Sequence, residues 1–232
     1  MNNLPSISIR FFSDDQYQLD KVFYSNSYKL RGIQDKEKAP IVIDLGAGFG
    51  DFTLTSLLLG AKKIYSIEGF IENFKVLLEN VGKNNNVIPY LLAISKDKNP
   101  IYFGHPKPDK KTYIDFSNIE PYTSSKHNHF SISTSETLDN FLESYIQEPM
   151  IDILKINIGF QERDILKTSK LIETKVKNIC GETILEPEYV ATFKSEMSAK
   201  GFINSHIITY NEEDNKIFFI FSKGDIEEYF NL

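Results

Sequence analysis

Gly46, Gly48 and Gly50 stand two residues apart, after the apolar run Ile41-Val42-Ile43 and the acid Asp44. Glycine at alternate positions lets a chain bend sharply and bring bare backbone close to a ligand. Residues from Asp51 to Leu59 read as a helix, so the bend presents helix N-terminal N–H groups to whatever sits there. A dinucleotide turn is spaced G-x-G-x-x-G, its third glycine opening the helix for a pyrophosphate. Here the order is G-x-G-x-G. An acid two residues before the first glycine would repel a diphosphate but suits the cationic, amino-acid end of S-adenosylmethionine. Asp44, Gly46, Ala47, Gly48 and Gly50 therefore point to the methyl donor and away from NAD.

A second acid extends the site. Lys63-Ile64-Tyr65-Ser66-Ile67-Glu68 reads as a strand ending in a carboxylate, with Gly69 after it. In doubly wound sheets an acid at the tip of the second strand accepts hydrogen bonds from the ribose hydroxyls. The bland alternative is a solvated strand end. Strand, glycines, helix, strand and acid within one short unit favour the nucleoside role. Ala93 and Ile94, read as ending a third strand, would flank the adenine; plain strand burial explains them equally well.

These residues need a scaffold. Apolar runs alternate with helical patterns: strands at 41–45, 63–67, 87–93, 152–158, 177–183, 202–208 and 216–221, with helices at 50–59, 71–82, 136–147, 161–173 and 187–200. That rhythm predicts an α/β fold, a doubly wound, mostly parallel seven-stranded sheet with an antiparallel edge strand. Residues 1–39, rich in Phe and Tyr with strand-like pieces at Ser6–Phe12 and Lys21–Tyr24, are read as an N-terminal cap. Residues 40–232 form the binding domain, interrupted by a proline-rich insertion at about 96–135.

Composition narrows the function. A net charge of −6 gives no general basic field for nucleic acid, which makes nucleic acid an unlikely partner. No apolar run approaches the ~20 residues of a membrane span, and no leader pattern opens the chain, so a cytoplasmic protein is expected. Cys180, the single cysteine, lies in an apolar run and reads as a small buried hydrophobe. His127 and His129, in the insertion, read as surface more readily than as a base or a metal site, and no metal is expected. The partner expected is a small-molecule acceptor; no feature selects an oligomeric state.

From Ile41 to about Glu182 the residues resemble the class I S-adenosylmethionine-dependent methyltransferases of Rossmann-like fold, and within them the FkbM family. The resemblance rests on Asp44-Leu45-Gly46-Ala47-Gly48-Phe49-Gly50, on Ser66-Ile67-Glu68-Gly69-Phe70, and on Thr137-Leu138-Asp139-Asn140-Phe141 followed by Asp152-Ile153-Leu154-Lys155-Ile156-Asn157. It implies methyl transfer to oxygen, typically a hydroxyl of a sugar or other secondary metabolite. The chain departs from the family after Lys155. The family pattern there is acid, apolar, acid, glycine, small, acid; here it is Asn157, Ile158, Gly159, Phe160, Gln161, Glu162. Asn157 can hydrogen-bond an acceptor hydroxyl but cannot take its proton. Lys155 reads either as a cation in the pocket or as a strand-end lysine reaching solvent, and the resemblance tips it toward function. Glu162 is the remaining acid in register, and its plain reading is a helix N-terminal carboxylate. Lys155, Asn157 and Glu162 are thus the catalytic candidates. A degenerate protein that binds the cofactor without chemistry is the alternative that the two missing carboxylates raise.

Overall fold

A computed structural model describes residues 7–8, 15–32, 36–105, 129–159, 161–211 and 215–232. Helix α1 (Asp15–Gln18) runs into a π-helical turn (Leu19–Tyr24), and a 3-10 turn (Lys36–Lys38) precedes the sheet. The alternation then unfolds as β1 (Ile41–Leu45), α2 (Asp51–Leu58), β2 (Lys63–Glu68), α3 (Ile71–Val81) and β3 (Val87–Leu91). Three short pairing segments follow, β4 (Ala93–Ile94), β5 (Ile101–His105) and β6 (His129–Ser133), then β7 (Ser135–Glu136) and α4 (Leu138–Ser144). The second half is β8 (Ile151–Ile156), α5 (Glu162–Thr168), α6 (Ile172–Lys175), β9 (Val176–Ile184), α7 (Pro187–Ala199), β10 (Asn204–Asn211), β11 (Lys216–Ser222) and a closing 3-10 turn (Ile226–Glu228).

Seven strands form one sheet in the order β3-β2-β1-β8-β9-β11-β10. All run parallel except β11, which lies one place in from the edge and pairs antiparallel with both β9 and β10. Strand order reverses between β1 and β8, and in open α/β sheets ligands bind beyond the carboxyl ends of the strands at such a point. Both faces are covered, as the apolar strands require. Along β1 the side chains alternate: Ile43 and Leu45 enter one apolar cluster with Leu154, Ile156, Phe193 and Phe219, while Val42 enters the other with Phe52, Ile64, Ile153 and Ile220. Asp44 shares the parity of Val42 and so lies under α2.

Several local expectations are corrected. Lys21–Tyr24 is helical, not a strand: Leu19 and Val22, three apart, are buried and the turn packs on α2, where Thr55 Oγ1 donates to the Val22 carbonyl at 3.4 Å. The third strand stops at Leu91, and Ala93–Ile94 pairs instead with Ser135–Glu136 in a separate parallel ladder. The helix expected at 161–173 breaks at Ser169, where Asp139 of α4 captures the N–H groups of Lys170 and Leu171 at 2.9 and 3.0 Å. The flanks of the insertion are an antiparallel pair, β5 with β6, in which His105 is in register with His129. His127 and most of Ser6–Phe12 lie outside the described residues.

Candidate active site

The glycine turn is anchored from below by a row of polar groups that crosses three strands and one helix. Ser66, Asp44 and Lys155 are neighbours in register on β2, β1 and β8. Lys155 Nζ lies 2.9 Å from Asp44 Oδ1 and donates to the Gly46 carbonyl at 2.7 Å and the Leu45 carbonyl at 3.4 Å. The ammonium thus hydrogen-bonds two carbonyls and meets Asp44 Oδ1 as a close ion pair, that oxygen having no hydrogen-bond partner of its own among the described residues. The other carboxylate oxygen, Asp44 Oδ2, accepts from Thr53 Oγ1 of α2 at 2.8 Å. Because that hydroxyl spends its proton on Asp44, Ser66 Oγ, 2.8 Å away, is the donor to Thr53. Burial pulls the Lys155 ammonium toward neutrality, but the charges of Asp44 and Asp51 and the close contact with Asp44 outweigh it and hold its pKa above the ordinary lysine value.

The bend itself needs its glycines for different reasons. Gly46 has φ +76°, and a Cβ there would meet the Asn157 carbonyl oxygen at 1.9 Å. The turn and the end of β8 are pressed together at that point, with the Asn157 N–H donating to the Leu45 carbonyl at 3.0 Å. Gly48 has φ +59° and faces open space, where a Cβ would meet no atom within 4 Å among the described residues. The N–H groups of Gly46 and Ala47 both donate to the Ile67 carbonyl at 2.9 Å. Gly48 N–H donates instead to Glu68 Oε2 at 2.8 Å.

Glu68, at the tip of β2, is 5% exposed. Its Oε1 accepts from the Phe70 N–H at 2.8 Å and from the Asn73 amide at 3.4 Å. Burial raises its pKa above the usual carboxylate value, and the N–H groups of Phe70 and Gly48 work against that rise. A carboxylate offers about four lone-pair sites; these three contacts orient it and leave one site free, and a second where the long Asn73 contact yields. Gly69 follows, and a Cβ there would press on Phe103 at 2.9 Å and Ala93 at 3.0 Å. Ala93 and Ile94 are buried beside it. The open Gly48 position and this acceptor leave room beside the turn for a ligand that carries hydroxyl donors.

At the carboxyl ends of β8 and β9 the groups are different. Asn157 is exposed, and its side-chain amide donates to the Tyr28 hydroxyl at 3.4 Å. Tyr28 is buried, edge-on to Phe52 and Phe218, so the N-terminal segment reaches the same opening. Glu182 of β9 is bound by Lys21 at 2.6 Å. Asp51, the first residue of α2, is 9% exposed; its Oδ1 accepts from the Phe52 N–H at 2.8 Å. Burial, reinforced by the charges of Asp44 and Glu182 and opposed by Lys155, pushes its pKa up to about 7.

Glu162 is turned inward, 1% exposed. Its Oε1 accepts the N–H groups of Ile158 and Gly159 at 2.8 and 2.9 Å, and its Oε2 accepts from Thr183 Oγ1 at 2.9 Å. It fixes the loop that carries Asn157. The structure therefore brings the glycine turn, Glu68, Asn157 and Lys155 to one end of the sheet, with Lys155 and Glu162 engaged by the protein's own backbone and side chains. Sequence reading misses Tyr28 and Thr53 and takes Asp51 only as the start of a helix. Their signal is that Asp51–Ser56 must be buried against the sheet, so each polar residue there needs a partner.

The sequence matches the methyltransferase FkbM domain over residues 44–210. No curated protein matches it significantly in sequence. Among solved structures it is similar to a human methyltransferase 10 domain containing protein, with a TM-score of 0.54 and 16% identity over 95% of this chain and 89% of that one. It is likewise similar to a METTL16 MTase domain, at 0.53 and 16% over 87% and 67% of the two chains. A Methanococcus jannaschii fibrillarin pre-rRNA processing protein follows at 0.50 and 14%, over 84% and 70%. At such identities the likeness is one of fold. No helix among the described residues is long and apolar enough to cross a membrane.

Proposed function

The chain belongs to the FkbM methyltransferase family, and on that footing we propose that it methylates a hydroxyl oxygen of a small, sugar-like acceptor with S-adenosylmethionine. The observation that carries the cofactor assignment is Glu68, oriented by the Gly48 and Phe70 N–H groups beside the open Gly48 position. Glu68 would accept from the two ribose hydroxyls, the Gly46–Gly50 backbone would pass under the amino-acid portion, and Ala93 and Ile94 would flank the adenine. When bound, the cofactor supplies a methyl carbon already activated by its sulfonium. The chain's part is then alignment of the acceptor, whose proton would pass to solvent, since Asn157 cannot take it and Lys155 and Glu162 are engaged by the protein itself. Asn157, joined to Tyr28 over the opening, would orient the acceptor oxygen, while Lys155 and Glu162 act as positioning residues for the turn and the loop. Residues 1–39 would cap the opening of the domain formed by 40–232. A small acceptor accords with the net charge of −6, which offers no field for nucleic acid. The buried, single Cys180 suits the reducing cytoplasm, where we place the protein.

Calorimetry with S-adenosylmethionine and NADH tests the cofactor: binding of the first and none of the second is expected. Glu68→Ala should weaken binding by ~1–3 kcal/mol, the cost of leaving hydroxyl donors unpaired. Formation of S-adenosylhomocysteine with pooled glycans and hydroxylated metabolites tests the acceptor. Turnover with an RNA pool and none with these compounds would overturn the acceptor assignment.

A further inference from the structure

The acid that the sequence offers to the cationic end of the cofactor is already spent. Asp44 is 0% exposed, its Oδ1 against Lys155 and its Oδ2 bound by Thr53. A carboxylate so enclosed and so neutralised has no face left for a ligand's ammonium group. Seven residues on, at the other end of the same turn, Asp51 is in the opposite condition. It is nine-tenths buried, one oxygen accepts only the adjacent Phe52 N–H, and the other has no hydrogen-bond partner among the described residues. The groups that surround it leave the charge unanswered. Lys155 of β8 attracts it but belongs to Asp44; Asp44 of β1 and Glu182 of β9 repel it; Tyr28 contributes a neutral hydroxyl. Lys21, on the N-terminal segment, is held by both oxygens of Glu182. Buried charges in proteins are ordinarily paired, and an uncompensated carboxylate is costly to keep.

Resting on the cofactor reading above, we propose that the missing cation is the cofactor's own α-ammonium group and that Asp51, not Asp44, binds it. Asp51 opens α2 directly after Gly50, so its carboxylate stands where the amino-acid portion leaves the glycine turn. Two acids then divide the ligand: Glu68 holds the ribose and Asp51 the amino acid. Asp44 and Lys155 serve only to hold the turn between them. Below about pH 7 the Asp51 carboxyl holds its proton and offers no charge, so the amino-acid end is bound more tightly as pH rises through that value.

The test uses the full chain and two ligands that differ in the amino-acid portion. S-Adenosylhomocysteine carries the ammonium; 5′-methylthioadenosine has the same nucleoside and no amino acid. Calorimetry at pH 8 should show the wild type preferring S-adenosylhomocysteine. In Asp51→Asn that ligand should weaken about 10- to 100-fold, as loss of a charged hydrogen-bond partner requires, while methylthioadenosine changes less than about twofold. The wild-type preference should also shrink at pH 6, and the variant's should not. Equal weakening of both ligands would make Asp51 a brace for the turn and overturn the proposal. Unchanged binding of S-adenosylhomocysteine, or no preference between the ligands in the wild type, would do the same. Failure of the wild type to bind either compound would instead overturn the cofactor reading, and this inference with it. Near-ultraviolet dichroism of the variant confirms that it is folded.

Discussion

The polar row beneath the glycine turn and the rim at its mouth use the same residue types, carboxylates, a lysine and hydroxyls, and compensate them differently. In the row, Asp44, Lys155, Thr53 and Ser66 form a closed chain in which charge meets charge and each hydroxyl has a partner. At the rim, Asp51 lacks a counter-ion of its own, and Asn157 spans an exposed gap to Tyr28. Satisfied polar networks rigidify a core, whereas unsatisfied buried groups are concentrated where a ligand completes them. The contrast separates what holds the backbone in place from what is left to act. It can be broken at either end.

The largest effect is expected from Lys155→Met. Removing the cation leaves Asp44 buried and unpaired, which costs about 3–5 kcal/mol, and it also frees the Gly46 carbonyl. For a chain of this size that corresponds to a fall in Tm of about 10 °C. Adding Asp44→Leu should recover much of the loss, since an apolar pair of similar volume replaces a buried ion pair at little cost. Urea unfolding of the single and double variants reads both numbers. A single variant as stable as the wild type would mean that the row does not hold the turn.

Little of that row was legible beforehand. Asp44 stands out because it interrupts Ile41–Leu45 just before three glycines. Lys155 stands out only through the family resemblance. That the two touch depends on the register of β1 against β8, strands whose paired residues are 111 positions apart, and no local pattern encodes that register. The centre of the sheet is legible for the opposite reason: β1, β8 and β11 are largely apolar and buried almost throughout, as strands covered on both faces must be. Lys21–Tyr24 reads as a strand because Val, Phe and Tyr suit one, and is helical. What decides its conformation is the pairing of Leu19 with Val22 on one face, set by α2 packing against it. Ala93 and Ile94 read as the end of β3, two and three residues beyond where it stops, because apolar character continues through Leu92 while the ladder does not.

The rim is tested by the stability of Asp51→Asn. The carboxyl titrates near 7 in the folded chain against an ordinary 3.8, so ionising it opposes folding. The penalty is absent below about pH 4, where both states are protonated. It grows as pH rises toward 7 and is constant above that. Asparagine carries no such penalty. The variant's advantage over the wild type should therefore grow by about 1–2 kcal/mol between pH 5.5 and pH 8, and then level off. An advantage that does not change with pH would show that Asp51 is not held against its charge, and the contrast between row and rim would collapse. A gain in stability together with a loss of ligand affinity is the signature of a group kept for binding at the fold's expense.

The smallest effect on the fold, and the finest probe of the comparison, comes from the middle glycine. Gly46→Ala belongs with the row: its methyl would collide with the Asn157 carbonyl oxygen, and relief requires β8 and the turn to part. Gly48→Ala belongs with the rim. Its backbone, at φ +59°, is one that alanine reaches at a cost of about 1–2 kcal/mol, and the new methyl meets no described atom within 4 Å. The variant should fold with a Tm only a few degrees lower and with the Gly48 N–H still on Glu68. Yet the methyl would project into the space assigned to the ligand, so affinity for S-adenosylhomocysteine should fall by far more than the lost stability accounts for. If Gly48→Ala instead binds as the wild type does, the open side of the turn is not where the cofactor lies. The glycine would then serve only the bend, as Gly46 does.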